Sequence, residues 1–161
     1  MPKVALIMGS GSDMPALEAG VNRLKSFGIE VDVRILSAHR TPDRAAEFAK
    51  KAVANGYDAI IAAAGKAAHL PGVLAAFTTL PVIGIPMKSS FMDGMDSLLS
   101  IVQMPAGVPV ATVGVDASEN AAILAAQVLA LRYQELAEQL IAFKADMAKK
   151  VIDADDKLER R

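Results

Sequence analysis

The feature that most constrains the fold is a regular alternation of short apolar segments with helical ones. Five short segments rich in Val, Ile and Ala predict buried strands, at residues 3–9, 30–36, 58–64, 81–86 and 109–115. Helical patterns lie between and after them, at residues 12–28, 41–56, about 68–79, about 93–104, and from Ser118 past Leu140. This alternation predicts an α/β fold, with a parallel sheet of about five strands and helices on both faces.

The second predicted helix carries clear signals at both ends. Thr41 stands at the position of a side-chain cap, and Pro42 occupies the first turn, where a missing N–H costs nothing. Gly56 follows the last helical residue, as is typical of helix C-termini.

Length and composition exclude several classes of protein. The 161 residues suit a single domain, which we predict for residues 1–161. With 17 basic and 18 acidic residues and only 4% aromatic side chains, nothing indicates a nucleic-acid partner. No segment has the roughly 18 uninterrupted apolar residues of a membrane span, and the N-terminus does not resemble a signal peptide. Cysteine is absent, so we expect a cytoplasmic protein without disulfides or thiolate metal sites.

Charge is unevenly distributed along the chain. Between Ala59 and Val115 the only fully charged residues are Lys66, Lys88, Asp93 and Asp96, which predicts that subunit contacts cover part of this region. The predicted helix at residues 121–131 is apolar nearly all round, and lies either between subunits or at the centre of one. From about residue 142 the chain becomes charged, which predicts a helical extension that frays or packs on a neighbouring subunit.

The loops after parallel strands meet at one edge of the sheet, where ligands of such folds usually bind. The first loop contains Ser10, Gly11, Ser12 and Asp13, small and polar residues before a helix that suit an anion. It matches neither the dinucleotide fingerprint, because Met14 replaces the third glycine, nor a P-loop. An ordinary helix cap by Ser10 or Ser12 is the slightly favoured alternative.

The second loop combines a proton carrier with a permanent cation. His39 is followed by Arg40, whose guanidinium forks onto phosphate or carboxylate oxygens, and Ser37 stands two positions before His39. Histidine can give and take a proton near neutral pH. A lone histidine is more often structural, but an anion anchor beside a proton carrier is what acid–base chemistry on a phosphorylated metabolite requires.

The third and fourth loops complete the predicted edge. The third carries His69, the only other histidine of the chain, so two histidines are predicted at one edge. Zinc is a weak alternative there, because no third ligand is evident. Residues 88–105 form a fourth candidate rim, for which we favour a capped helix with a Met-lined core face.

Four segments carry a family resemblance: "MGSGSD", "SAHRTP", "AAHLPG" and "DSLLSIVQMP". Their order and spacing resemble those of N5-carboxyaminoimidazole ribonucleotide mutases, from Val4 to about Leu140. The resemblance implies an isomerase of purine biosynthesis that uses no metal or organic cofactor and moves a carboxylate through a CO₂ intermediate. It also implies a flavodoxin-like three-layer α/β/α sandwich, assembled as a homo-octamer with sites at subunit junctions.

The resemblance also implies roles for individual residues. His39 is the expected general acid and base, Ser10 and Arg40 hold the phosphate with help from Ser12 and Ser37, and Asp13 accepts hydrogen bonds from the ribose. His69 and the backbone of residues 65–70 line the pocket around the migrating carboxylate. The expected substrate-binding residues are Ser10, Gly11, Ser12, Asp13, Ser37, Ala38, Arg40, Gly65, Lys66, Ala67, His69 and Leu70.

The chain departs from the family at two positions that are usually glycine, Ala63 and Lys66. We favour a Lys66 that points away from the pocket or toward a neighbouring subunit. A Lys66 that points inward would attract the substrate carboxylate or make His39 harder to protonate.

Three alternative functions remain. Related carboxylases take free CO₂ directly onto aminoimidazole ribonucleotide, but they tend to carry lysine after the histidine of the second loop and to lack "AAHLPG". A non-catalytic binder of ribonucleotide phosphates would need Arg40 and the serines but not His39. A nicotinamide-dependent enzyme is disfavoured because the glycine fingerprint fails.

Overall fold

Five parallel strands form the centre of the fold in the computed structural model, which describes residues 1–159. They are β1 (Lys3–Met8), β2 (Glu30–Ile35), β3 (Ala59–Gly65), β4 (Val82–Met87) and β5 (Ala111–Thr112). Their order in the sheet is β2-β1-β3-β4-β5, and all four pairs are parallel. The predicted flavodoxin-like doubly wound sheet is therefore confirmed.

Strand β5 is much shorter than the predicted segment 109–115. Only Ala111 and Thr112 pair with β4, opposite Ile83 and Gly84. Pro109 has no N–H to donate to a ladder, so pairing cannot extend far in that direction.

Six α-helices cover the two faces of the sheet, within the residues that the structure describes. They are α1 (Met14–Ser26), α2 (Pro42–Lys51), α3 (Leu70–Phe77), α4 (Met95–Val102), α5 (Ser118–Ala130) and α6 (Gln134–Glu159), and a 3₁₀ turn (Gly11–Asp13) precedes α1. One core lies under α1, α5 and the start of α6, and the other lies under α2, α3 and α4. Successive side chains of a strand point to opposite faces, so the central strands contribute to both cores.

Helix α5 is a central helix within the chain. It packs so closely on α1 that a Cβ atom on Gly20 would lie 2.6 Å from the carbonyl oxygen of Ser118. The Ser118 hydroxyl accepts a hydrogen bond from the Gly20 N–H at 3.3 Å and donates to the Ala16 carbonyl at 2.8 Å. The helix is therefore packed within the chain, and its predicted contact with another subunit stays a prediction.

The prediction of one long helix from Ser118 past Leu140 is wrong, because the chain turns between α5 and α6. The N–H groups of Leu131 and Arg132 bond to carbonyls three residues back, which tightens the last turn. The hydroxyl of Tyr133 then donates to Asp58, 3.2 Å away, at the far end of the sheet. The turn lets α6 fold back over the core, where the ring of Phe143 packs edge-on against Phe27 at 5.7 Å.

The second half of α6 leaves the core. Described side chains from Lys144 to Leu158 are all exposed, including those of Val151 and Ile152. No helix in the described part of the chain is long and apolar enough to cross a membrane.

Candidate active site

The candidate site lies where the strand order reverses, between β1 and β3. Loops that follow β1, β2, β3 and β4 surround an open cleft of about 480 Å³. This carboxyl edge of the sheet is where ligands of doubly wound folds bind. Every site residue that the sequence predicts lines the cleft except Gly11.

The loop after β1 is both a helix cap and a wall of the cleft. The Ser10 side chain accepts a hydrogen bond from the Ser12 N–H at 3.3 Å, and the two hydroxyls lie 2.8 Å apart. The predicted helix cap by Ser10 is therefore confirmed, and anion binding by this loop stays a prediction. Gly11 faces away from the cleft toward the second strand, where a Cβ atom would lie 3.3 Å from Ile35.

The loop after β2 is held by hydrogen bonds from the side chains of Ser37 and Thr41 to its own backbone. The prediction that the Thr41 side chain caps α2 is wrong. Its hydroxyl instead donates to the Ser37 carbonyl at 3.1 Å and accepts from the Ser37 N–H at 2.9 Å. The Ser37 hydroxyl accepts from the Arg40 N–H at 3.0 Å. These bonds fix a tight turn that presents His39 and Arg40, both exposed, to the cleft.

The two histidines meet across the cleft. Nε2 of His39 lies 2.7 Å from Nδ1 of His69, and the rings pack edge to face with centroids 4.8 Å apart. One nitrogen of the pair donates and the other accepts, so the contact holds a single proton. No group of three or more His, Cys, Asp or Glu side chains in residues 1–159 is arranged to hold a metal ion.

The loop after β3 is held by helix α4. The Lys66 N–H donates to the hydroxyl of Ser97 at 2.8 Å, and that hydroxyl donates to the Met87 carbonyl at 2.8 Å. The hydroxyl of Ser100 lies between two carbonyl acceptors, that of Asp96 at 2.7 Å and that of Lys66 at 3.2 Å. Lys66 lines the cleft and adopts a left-handed backbone conformation with a φ of 54°.

The loop after β4 begins the segment 88–105, the fourth candidate rim for which a capped helix was the favoured prediction, and its first residues form a wall of the cleft. Met87, Lys88, Ser89 and Ser90 line the cleft, together with Gly9 and Ala64. The Lys88 N–H donates to Asp116 at 2.8 Å, and the Ser89 hydroxyl donates to Asp96 at 2.8 Å. This position follows from the topology, because β4 pairs with β3 and its following loop must reach the same edge.

The charges of the cleft suit an anionic ligand. Arg40, Lys66 and Lys88 line it, whereas Asp13 is the only carboxylate in its lining. Burial, and to a smaller extent the nearby carboxylate of Asp116, raise the pKa of Asp13. The cleft can therefore bind a negatively charged molecule beside a hydrogen-bonded histidine pair.

Known proteins match this chain over almost its full length. A family model described as AIR carboxylase matches residues 3–150. The N5-carboxyaminoimidazole ribonucleotide mutase of Pyrococcus horikoshii is 52% identical over 158 residues, which cover 98% of this chain and 89% of that protein. The phosphoribosylaminoimidazole carboxylase of Schizosaccharomyces pombe is 49% identical, and the match covers 99% of this chain but 29% of that longer protein.

A solved structure agrees in both fold and extent. The crystal structure of Treponema denticola PurE has a TM-score of 0.90 and 34% sequence identity, covering 98% of this chain and 99% of that one. Together with the family model over residues 3–150, this likeness shows that the chain belongs to the AIR carboxylase family.

Proposed function

We propose that this protein is an isomerase of purine biosynthesis that converts N5-carboxyaminoimidazole ribonucleotide to 4-carboxy-5-aminoimidazole ribonucleotide. The observation that carries the proposal is the hydrogen-bonded pair of His39 and His69 on the wall of a cleft lined by cations. A cleft that only bound a nucleotide phosphate would need Arg40 and the serines, but no proton carrier.

The proposed binding mode places the phosphate between the loops after β1 and β2. Ser10 and Arg40 hold the phosphate with help from Ser12 and Ser37, because all four line one side of the cleft. Asp13 accepts hydrogen bonds from the ribose hydroxyls. The imidazole ring then lies toward the histidine pair.

The proposed chemistry is two proton transfers around a neutral intermediate. His39 protonates the exocyclic nitrogen, and the bond from that nitrogen to the carboxyl carbon breaks, releasing CO₂ and a neutral amine. Carbon C4 of the electron-rich ring then attacks CO₂ to form the new bond. His39 takes the C4 proton and so returns to its starting state.

His69 is a positioning residue in this scheme. Its contact with His39 restricts the orientation of the His39 ring, so that one nitrogen can serve both the exocyclic amine and C4. The small residues of the loop after β3, Gly65 and Ala67, leave room for CO₂ and keep it near C4.

The first test is interconversion of the two carboxylated ribonucleotides, followed by ultraviolet absorbance, for the wild type and His39→Asn. We expect the variant to lose about a thousandfold in kcat, because asparagine cannot carry a proton and His69 keeps only its positioning role in this scheme. Binding of 4-carboxy-5-aminoimidazole ribonucleotide should be retained, since Arg40 and the serines are unchanged.

Two results would contradict the proposed function. Wild-type protein that binds the nucleotide without converting it would indicate a non-catalytic binder. A rate that requires uncarboxylated substrate and rises with added bicarbonate would indicate a carboxylase that uses free CO₂.

A cytoplasmic location stays a prediction from the sequence.

The proposal includes assembly as a homo-octamer. An apolar stripe on α4, formed by Met95, Leu99 and Val102 at helical spacing, is about half exposed, as is expected of a surface that another subunit covers. The exposed apolar residues of the α6 extension, including Val151 and Ile152, support the proposal that it packs on a neighbouring subunit.

Sedimentation of the full chain tests the assembly. We expect a mass of eight chains for the wild type and smaller species for Leu99→Glu and Val151→Glu, because a buried unpaired charge opposes association. Lys144→Glu is the matched control, a charge change at an exposed position of the same helix. A wild type that sediments as one chain would contradict the octamer. A Val151→Glu variant that assembles normally would contradict packing of the α6 extension on a neighbouring subunit.

A further inference from the structure

Lys66 is the residue of the cleft whose conformation most needs an explanation. Its φ of 54° lies in the left-handed region, which is unfavourable for residues with a Cβ atom other than Asn and Asp. A hydrogen bond from the Lys66 N–H to Ser97 and the nearby hydroxyl of Ser100 hold it there. Unfavourable backbone conformations that the surroundings enforce are concentrated at functional sites.

The backbone of Lys66 has little left to offer a ligand. Its N–H is used by Ser97, and its carbonyl accepts from the N–H of Ala68, 2.9 Å away, and lies 3.2 Å from the Ser100 hydroxyl. The group that remains available is the side-chain ammonium. Lys66 is exposed, lines the cleft, and forms no ion pair with any described side chain.

The other two cations that line the cleft, Lys88 and Arg40, have contacts that Lys66 lacks. Lys88 has a carboxylate partner, because its Nζ lies 3.8 Å from Asp93. Arg40 belongs to the loop after β2, beside the serines that suit a phosphate. Lys66 lies on the loop after β3, between Gly65 and the residues that lead to His69.

We propose that the Lys66 ammonium binds the carboxylate of the substrate and makes the cleft selective for carboxylated over uncarboxylated ribonucleotides. The inference rests on the proposed function, which supplies a ligand with a phosphate at one end and a carboxylate at the other. Arg40 and Lys66 lie on the loops after β2 and β3, on either side of the loop after β1, and each then neutralises one end of the same molecule.

The chemistry predicts where the effect of this charge falls. Both the substrate and the product carry a carboxylate, whereas the intermediate CO₂ is neutral and gains little from an ammonium. Lys66 therefore stabilises the bound ground states more than the steps between them. Its removal should raise KM and leave the larger part of kcat in place.

Calorimetric titration with 4-carboxy-5-aminoimidazole ribonucleotide and with 5-aminoimidazole ribonucleotide tests the inference. For Lys66→Gln we expect about a tenfold weaker affinity for the carboxylated nucleotide and less than a twofold change for the other, the loss typical of one charge-assisted contact. Lys66→Arg keeps the charge and should keep the selectivity. Lys66→Asn, which tolerates a left-handed backbone, replaces Lys66→Gln if that variant does not fold.

The control variant is Lys88→Gln, which removes one positive charge from the same cleft but from a cation that has a partner. Selectivity that falls as much in Lys88→Gln as in Lys66→Gln would overturn the inference, since total charge would then explain it. Unchanged selectivity in Lys66→Gln would also overturn it. Conversion of substrate by the wild type is measured separately, so a failure of the proposed function is distinguishable from a failure of the role of Lys66.

Discussion

The two edges of the sheet solve the same geometric problem with different residues. At the amino edge, positive φ angles occur at Gly28, Gly56 and Gly107, where a Cβ atom would in each case meet nothing within 4 Å. At the carboxyl edge only Gly94 is a glycine with a positive φ, and four residues with side chains share that conformation, which are Lys66, Met92, Asp93 and Asp116.

The difference teaches where the molecule keeps unfavourable backbone conformations. Turns at the amino edge serve only to connect elements, so glycine is the least strained choice for them. Turns at the carboxyl edge also carry side chains: Lys66 and the Asp116 carboxylate, which accepts the Lys88 N–H at 2.8 Å. Strain is retained at the edge where those side chains line the cleft or fix the loops around it.

The largest test of this comparison is Gly94→Ala, in the loop after β4. Its φ is 98°, and a Cβ atom would lie 2.7 Å from Val115 and 3.3 Å from the Cα of Lys88. We expect the free energy of unfolding to fall by about 3 kcal/mol, from the left-handed backbone and the overpacking together. Urea denaturation measures the loss, and weaker substrate binding should accompany it because the loop after β4, which lines the cleft, would move.

A smaller effect is expected for Gly56→Ala at the amino edge. The φ of Gly56 is 77°, but the space around it is open, so only the backbone conformation is penalised. We expect a loss of about 1 kcal/mol in the same urea experiment and unchanged conversion of substrate. Equal losses for the two alanine variants would remove the distinction between the edges.

The smallest expected effect concerns Asp13 and depends on pH. Burial, and then the carboxylate of Asp116, raise the pKa of Asp13 in the folded protein, so its charged form weakens the fold at neutral pH. Asp13→Asn should therefore unfold at a higher temperature than the wild type at pH 7. The difference should vanish as the pH falls below about 3.8, where the carboxyl is protonated in both states.

Comparing the melting temperature of Asp13→Asn with its nucleotide affinity separates the effect of Asp13 on stability from its effect on binding. Nucleotide affinity should fall in the same variant that gains thermal stability, because a ribose acceptor is lost. A variant that is less stable than the wild type at pH 7 would show that the carboxylate has a structural role. A variant that binds the nucleotide as well as the wild type would show that the carboxylate does not bind the ribose.

The alternation of strands and helices was enough to predict the sheet, because each element has a period that its own residues set. The loops after the first three strands were predictable as a site for the same reason, since topology brings them to one edge. The turn at residues 131–133 was not, because no glycine or proline marks it, and the contact of Tyr133 with Asp58 is long-range.

Two details of the site depend on contacts that no local pattern contains. The left-handed conformation of Lys66 is set by Ser97 and Ser100, which are distant in sequence. The hydroxyl of Thr41 was predicted to cap α2, yet it bonds to the backbone of Ser37 because the turn brings that backbone closer. Local preference identifies such residues as polar and near a turn, and only the tertiary arrangement selects their partners.

The buried hydroxyl of Ser97 has a consequence for how this protein can change during evolution. It is fully buried and joins the Lys66 N–H to the Met87 carbonyl, so the ends of two neighbouring strands share one atom. An insertion or substitution that shifts α4 displaces both walls of the cleft at once. We therefore expect substitutions in the loops after β3 and β4 to covary among related proteins. We expect Ser97 to vary least.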